Sequence, residues 1–253
     1  MENEKVKKLK IDKELSIFIK GLAIILMIIH HSFGFPDYYI ETISYPELQQ
    51  FTKYISQCTK LCVALFAFLT GYVYAFNKSK SYKYSLRKIF VFLVDYWIVY
   101  IILLVIAILI GGYNPSIKDI FLEMFALKRP IMKFCWYVFF YWELMLIMPA
   151  FTKIIDSKKF LKEFLYSILG FFIISILIHI FNIESNYATI IAYFPVVICG
   201  YLCAKYDIFN IVYQFLLKFK KTIREFIGGI LIILALIIHT FIPFVFFGIN
   251  SKR

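Results

Sequence analysis

Between residues 15 and 248 the sequence alternates apolar runs of about twenty residues with short clusters of lysine and arginine. A helix of that length crosses a hydrocarbon core of about 30 Å at ~1.5 Å per residue. With 62% of its 253 residues apolar and 20% aromatic, a water-soluble domain would have no interior large enough to hide them. A transmembrane barrel would instead show alternation within segments of about ten residues. The fold class expected is therefore all-α, a polytopic transmembrane helical bundle of about seven spans. These fall at 15–35, 54–76, 89–111, 133–151, 163–182, 187–205 and 226–248. No repeat, linker or low-complexity segment divides the chain, so residues 1–253 read as one transmembrane domain.

The formal charge of +12 suggests nucleic acid only until the positions of the charges are read. With the N-terminus placed in the cytoplasm, 20 of the 28 basic residues fall on cytoplasmic segments, as the positive-inside rule requires. The partners expected are membrane lipid and not nucleic acid, and the location is the cell (cytoplasmic) membrane. The charged lead from Glu2 to Glu14 is long and no small-residue cleavage site follows the first run, so that run should stay as an anchor. Seven spans put Ser251-Lys252-Arg253 outside. Two cysteine pairs, Cys58/Cys62 and Cys199/Cys203, have i, i+4 spacing within expected spans. Membrane helices use cysteine as a small apolar residue, so no metal site and no disulfide framework is expected.

Two connections carry a helical stripe. Ser116-Ile-Lys-Asp119 is a capping-box pattern, followed by Ile117, Ile120, Phe121, Met124 and Phe125 on one face. It reads as a short helix lying on the outer membrane surface. Ile208, Ile211, Val212, Phe215 and Phe219 make a similar stripe on the inner side, next to Lys218, Lys220, Lys221 and Arg224.

Ionisable groups inside apolar spans default to a functional reading. Lys20 and His31 lie eleven residues apart in the first span. At ~100° per residue they share one face, ~20° apart and ~16 Å along the axis, while His30 stands ~80° off that line. Histidine, near neutral pKa, is the natural base for taking a proton from a hydroxyl. His30, His31, His179 and His239, the only four histidines, all fall in the outer halves of their spans. Interfacial anchoring is the competing reading for each of them, and for Lys20 it is snorkelling to the headgroups or pairing with Asp95. Glu143, near the middle of the fourth span, either packs as a protonated acid or orients an imidazole. Arg87 and Lys88 precede the third span, where they either contact lipid headgroups or clamp a phosphate-bearing ligand.

Four segments in order resemble the acyltransferase-3 family of integral-membrane O-acyltransferases. They are Lys20 to His31, a basic residue followed by histidine after ten intervening residues; Leu65-Phe-Ala-Phe-Leu-Thr-Gly71-Tyr72; Trp136 followed thirteen residues later by Pro149; and Tyr193-Phe-Pro-Val-Val-Ile-Cys-Gly200-Tyr-Leu-Cys-Ala-Lys205. The resemblance implies acyl-CoA, commonly acetyl-CoA, as a co-substrate from the cytoplasmic side. No permanently bound cofactor is implied. The acceptor it implies is a hydroxyl of a cell-envelope polysaccharide or related glycan. Carried over by position, Lys20 and His31 are the basic–histidine pair, Glu143 stands beside them as a third catalytic candidate, and Arg87 and Lys88 would hold the CoA phosphates. His30, His179, His239 and Trp136 are candidates for the substrate site.

This chain departs from the family pattern in four ways. Some members have arginine at the position of Lys20. An Arg-x-x-Arg pattern is only partly present in Arg87-Lys88. Tyr141-Trp142 stands where many members have a Glu-Glu pair, with Glu143 next. Members usually have about ten spans, so the last C-terminal spans of the family are missing from the seven expected here. The alternative function is a non-catalytic membrane protein, either a glycan or lipid-linked-sugar carrier or an inactive truncated homologue. A carrier would be expected to show discontinuous helices around a midplane site.

Overall fold

The computed structural model describes residues 10–33, 46–132, 135–155, 159–180, 188–231 and 234. Among them the regular elements are helices. Four are long and apolar enough to cross a membrane: Lys13–Phe33, Tyr54–Ala75, Tyr82–Leu109 and Trp136–Ile154. Tyr193–Lys205 and Ile208–Leu216, bent by 67° where they meet, add a fifth if they form one span. Helices Phe160–Ile180 and Ala188–Lys205 stand where the fifth and sixth spans are expected. Residues 221–231 are helical, and the remainder of the seventh expected span lies outside the described residues. Contacts group the chain into two compact units, residues 1–76 with 196–253, and residues 77–195.

In the first unit, helix α1 (Lys13–Phe33) begins where the Asp12 carboxylate accepts a hydrogen bond from the Leu15 amide at 2.9 Å. It packs against α2 (Pro46–Thr59) and α3 (Leu61–Ala75). Lys60, between α2 and α3, keeps helical dihedrals (φ −54°, ψ −17°), so residues 54–75 continue across a minimal break. The Ile11 amide bonds the Tyr72 hydroxyl at 3.1 Å, and His30 bonds Ser56 at the other end. The first span therefore runs antiparallel to the second. Its inward line is Ser16 and Ala23, both buried, then His30 one heptad further on.

The tightest contact in this unit is a backbone crossing between α3 and α8 (Ala188–Lys205). A Cβ added at Gly71 would lie 1.9 Å from the Val197 carbonyl oxygen. A Cβ added at Gly200 would lie 2.1 Å from the Phe68 carbonyl oxygen. The second and fourth sequence segments named above thus form one crossing, each glycine admitting the other helix's main chain. Tyr72, beside Gly71, is buried, with its ring against Phe68, Phe76 and Phe209 of α9 (Ile208–Leu216).

In the second unit, α4 (Tyr82–Leu109) starts seven residues before the expected third span because Ser81 caps it, its hydroxyl accepting from the Tyr84 amide. Ser85, Ile89, Leu93, Tyr96 and Tyr100 make its buried stripe. The partner on that stripe is α6 (Trp136–Ile155), with Tyr141 against Phe92 at 4.4 Å between ring centroids. α7 (Phe160–Ile180) follows and packs on α6.

The capping box of α5 (Ile117–Met124) is present as the sequence anticipates, with Ser116 and Asp119 bonding each other's amides. Its other end does not fray. The Leu127 amide bonds the Leu122 carbonyl and the Ala126 amide bonds the Glu123 carbonyl, both at 2.9 Å, which is a Schellman motif. The left-handed position in it, usually glycine, is Ala126 at φ +56°. A left-handed non-glycine residue costs ~1–2 kcal/mol, partly offset by glycine's greater loss of chain entropy. Ala126→Gly is therefore expected to stabilise the protein by up to about 1 kcal/mol, read as a higher thermal midpoint in detergent. A lower midpoint would show that the alanine methyl, which is buried, packs better than it strains.

Candidate active site

α1 is unbroken from Lys13 to Phe33, so it carries the helical register that sets Lys20 and His31 on one face. Lys20 is exposed and His31 half-buried. His30 has a different environment. Its Nδ1 lies 2.9 Å from the Ser56 carbonyl oxygen and 3.0 Å from the Ser56 hydroxyl, so the ring is fastened to α2. The two imidazoles touch, with centroids 5.2 Å apart and planes inclined by 54°. His30 is thus fastened to α2, with the His31 ring in contact with it.

Glu143 sits half-buried on α6, and among the described residues no hydrogen bond reaches its buried Oε2. Trp136 opens the same helix and stacks on Tyr193, centroids 6.0 Å apart and planes inclined by 23°, with Phe140 closing the aromatic cluster. Arg87 and Lys88 are not ahead of a helix, as the expected boundary at 89 implies, but within the second turn of α4. Both are exposed, away from the Ser85–Ile89 stripe that faces α6. Lys88 Nζ lies 5.7 Å from the centre of the Tyr84 ring, a cation–π distance. His179 is on the last turn of α7, and His239 lies outside the described residues. Among the described side chains, the histidine rings in contact are those of His30 and His31.

The sequence reading passed over Glu123. It is 1% exposed, and its carboxylate accepts hydrogen bonds from the hydroxyls of Tyr100 (3.0 Å) and Tyr113. The bond to Glu123, followed by burial, pushes the Tyr113 phenol up to about 12, so it stays a donor at any physiological pH. Three further side chains donate to the carbonyls around the end of α5. Tyr96 bonds Glu123 O at 2.9 Å, Trp97 bonds Met124 O at 2.7 Å and Trp142 bonds Phe125 O at 3.1 Å. The spacing gives no signal for it: Glu123 flanks the apolar stripe, whose Ile117 and Phe121 are exposed, and its burial follows from its partners on α4.

A family model described as an acyltransferase domain matches residues 16–251, which includes all of these residues. No curated protein and no solved structure matches the chain.

Proposed function

The chain belongs to the acyltransferase-3 family, and from that membership we propose that it is a multi-pass O-acyltransferase of the cell membrane. It moves an acyl group, acetyl in the simplest case, from acyl-CoA to a hydroxyl of an envelope glycan. The N-terminus is cytoplasmic, and the donor arrives from that side. The observation that carries the reading is the continuous α1, with Lys20 and His31 in register and His30 fastened to Ser56 beside them.

In this reaction His31 takes the acceptor proton as the hydroxyl oxygen attacks the thioester carbon. The C–O bond forms, the C–S bond breaks, and the CoA thiolate leaves and recovers the proton from the imidazolium. Lys20 stabilises negative charge on the donor. Glu143 serves as a further acid–base group, Arg87 and Lys88 hold CoA phosphates, and Trp136, His30, His179 and His239 contribute to the acceptor path. Purified protein in liposomes, supplied with labelled acetyl-CoA, should deposit label on envelope glycan. Glycan that gains no label with active donor present would remove the assignment.

Donor binding has its own expected result. Arg87→Ala should raise the apparent KM for acyl-CoA more than it lowers kcat, which is the mark of lost uniform binding. Steady-state kinetics at varied acyl-CoA measure both, and an unchanged KM returns Arg87 to lipid contact. The 67° bend where α8 meets α9 favours the second reading, a membrane carrier, since carriers use discontinuous helices. Glycan translocation without acyl transfer would select it.

A further inference from the structure

α5 does not lie flat across the end of α4. The Tyr113 amide bonds the Ala107 carbonyl near the top of α4, whereas the carboxyl end of α5 is held by Tyr96 and Trp97. The short helix therefore descends along α4, and its end lies ~18 Å below Leu109, twelve residues at ~1.5 Å each. α4 has 28 residues, and a hydrocarbon core needs about twenty of them. Any stretch of twenty within Tyr82–Leu109 contains Tyr96 and Trp97. The end of α5 is consequently at hydrocarbon depth wherever the membrane surfaces fall.

The chemistry of that end agrees. Helix termini leave unsatisfied carbonyls, and in hydrocarbon each costs several kcal/mol. Here Tyr96, Trp97 and Trp142 donate to three consecutive carbonyls and the Schellman motif satisfies others, at the cost of a left-handed alanine. A helix end lying at the membrane surface could leave them to water. The chain then continues through residues 125–132 without helix to α6, which packs on α4. Residues 125–132 are the break between α5 and α6.

Lys128 belongs to this break. It pairs with Asp119, yet its side chain remains 53% exposed. Its ammonium reaches back to Asp119 in the first turn of α5, toward the Leu109 end of α4, while irregular backbone at the depth of the break either is buried or lines water. We infer that residues 125–132 line a water-filled vestibule, open toward the Leu109 end of α4, that admits a polar, hydroxyl-bearing acceptor. This assignment of the acceptor rests on the acyltransferase reading, whereas the vestibule itself does not.

Thiol labelling of the full chain in liposomes tests it. Leu127 is 44% exposed at the break, and Ile98 is 57% exposed on the face of α4 turned away from α6. Thiolate is the reactive species, and it forms in water and not in hydrocarbon. Above the background of the unsubstituted protein, Leu127→Cys should react with a membrane-impermeant maleimide at least ~10-fold faster than Ile98→Cys. Equal rates would place the break in lipid or sealed protein and overturn the vestibule. Lys128→Cys gives the same comparison if Leu127→Cys does not fold. Next, maleimide-modified Leu127→Cys should lose at least ~10-fold of transfer to glycan while still binding labelled acetyl-CoA. Unchanged transfer, or equal loss of acetyl-CoA binding, overturns the acceptor assignment. If the unsubstituted protein transfers nothing, the functional reading fails, and the labelling rates still decide the vestibule.

Discussion

His31→Ala should lower acyl transfer at least ~100-fold while leaving insertion and expression unchanged. A sugar hydroxyl is a very weak acid, so it cannot attack a thioester efficiently unless its proton leaves as the C–O bond forms. A positioned base typically supplies 10²–10⁴-fold, or roughly 3–5 kcal/mol of barrier. His30→Ala should cost less. What it removes is the bond to Ser56 and the ring against which His31 rests. A hydrogen bond of ~1 kcal/mol net corresponds to about fivefold in rate if all of it positions the base. His30→Asn, which can still bond Ser56, should recover part of that loss. Lys20→Arg should retain more activity than Lys20→Ala, since charge is what the role requires. Single-turnover transfer by the purified variants measures each of these. Equal losses at both histidines would reduce the pair to an anchor, and an active His31→Ala would end the proposed mechanism.

The second large effect is structural. Gly71→Ala, and independently Gly200→Ala, should destabilise the protein by at least about 3 kcal/mol. Overpacking a core usually costs 1–3 kcal/mol because side chains can shift. Here the obstacles are the Val197 and Phe68 carbonyl oxygens, at 1.9 and 2.1 Å from the added carbon. Those atoms belong to helical main chain, so relief requires the two helices to separate and lose the contacts around Tyr72. At this chain length the thermal midpoint in detergent should fall by roughly 6 °C or more. Gly170→Ala is the control. Nothing lies within 4 Å of its added carbon, and alanine in a helix interior gains ~0.5–1 kcal/mol over glycine. Should all three variants melt alike, the crossing is looser than its geometry indicates.

The sequence by itself determined the all-helical class and most element positions. An apolar run of about twenty residues has few alternatives in a membrane, because only a helix satisfies its own backbone there. The register of Lys20 with His31 was legible for the same reason, since an uninterrupted helix converts spacing into angle. The Ser116–Asp119 cap was legible because both partners lie within four residues of each other.

Features that depend on contacts between distant segments were decided only by tertiary structure. Gly71 and Gly200 are 129 residues apart, and nothing in either segment says that the other fills the space its missing side chain leaves. His30 and His31 look equivalent until Ser56, on another helix, takes hold of one of them. α4 starts seven residues before the expected span because Lys83, Arg87 and Lys88 have the composition of a loop, whereas Ser81 caps a helix that contains them. For α5 the periodicity gave a helix but not the face it buries, since Ile117 and Phe121 of the stripe are exposed and Glu123 is buried. That face is set by donors from Tyr96, Trp97, Tyr100 and Trp142, which hold Glu123 and the carbonyls after it. Apolar periodicity records which residues share a face of a helix, whereas hydrogen bonds to other helices decide which face is held against them.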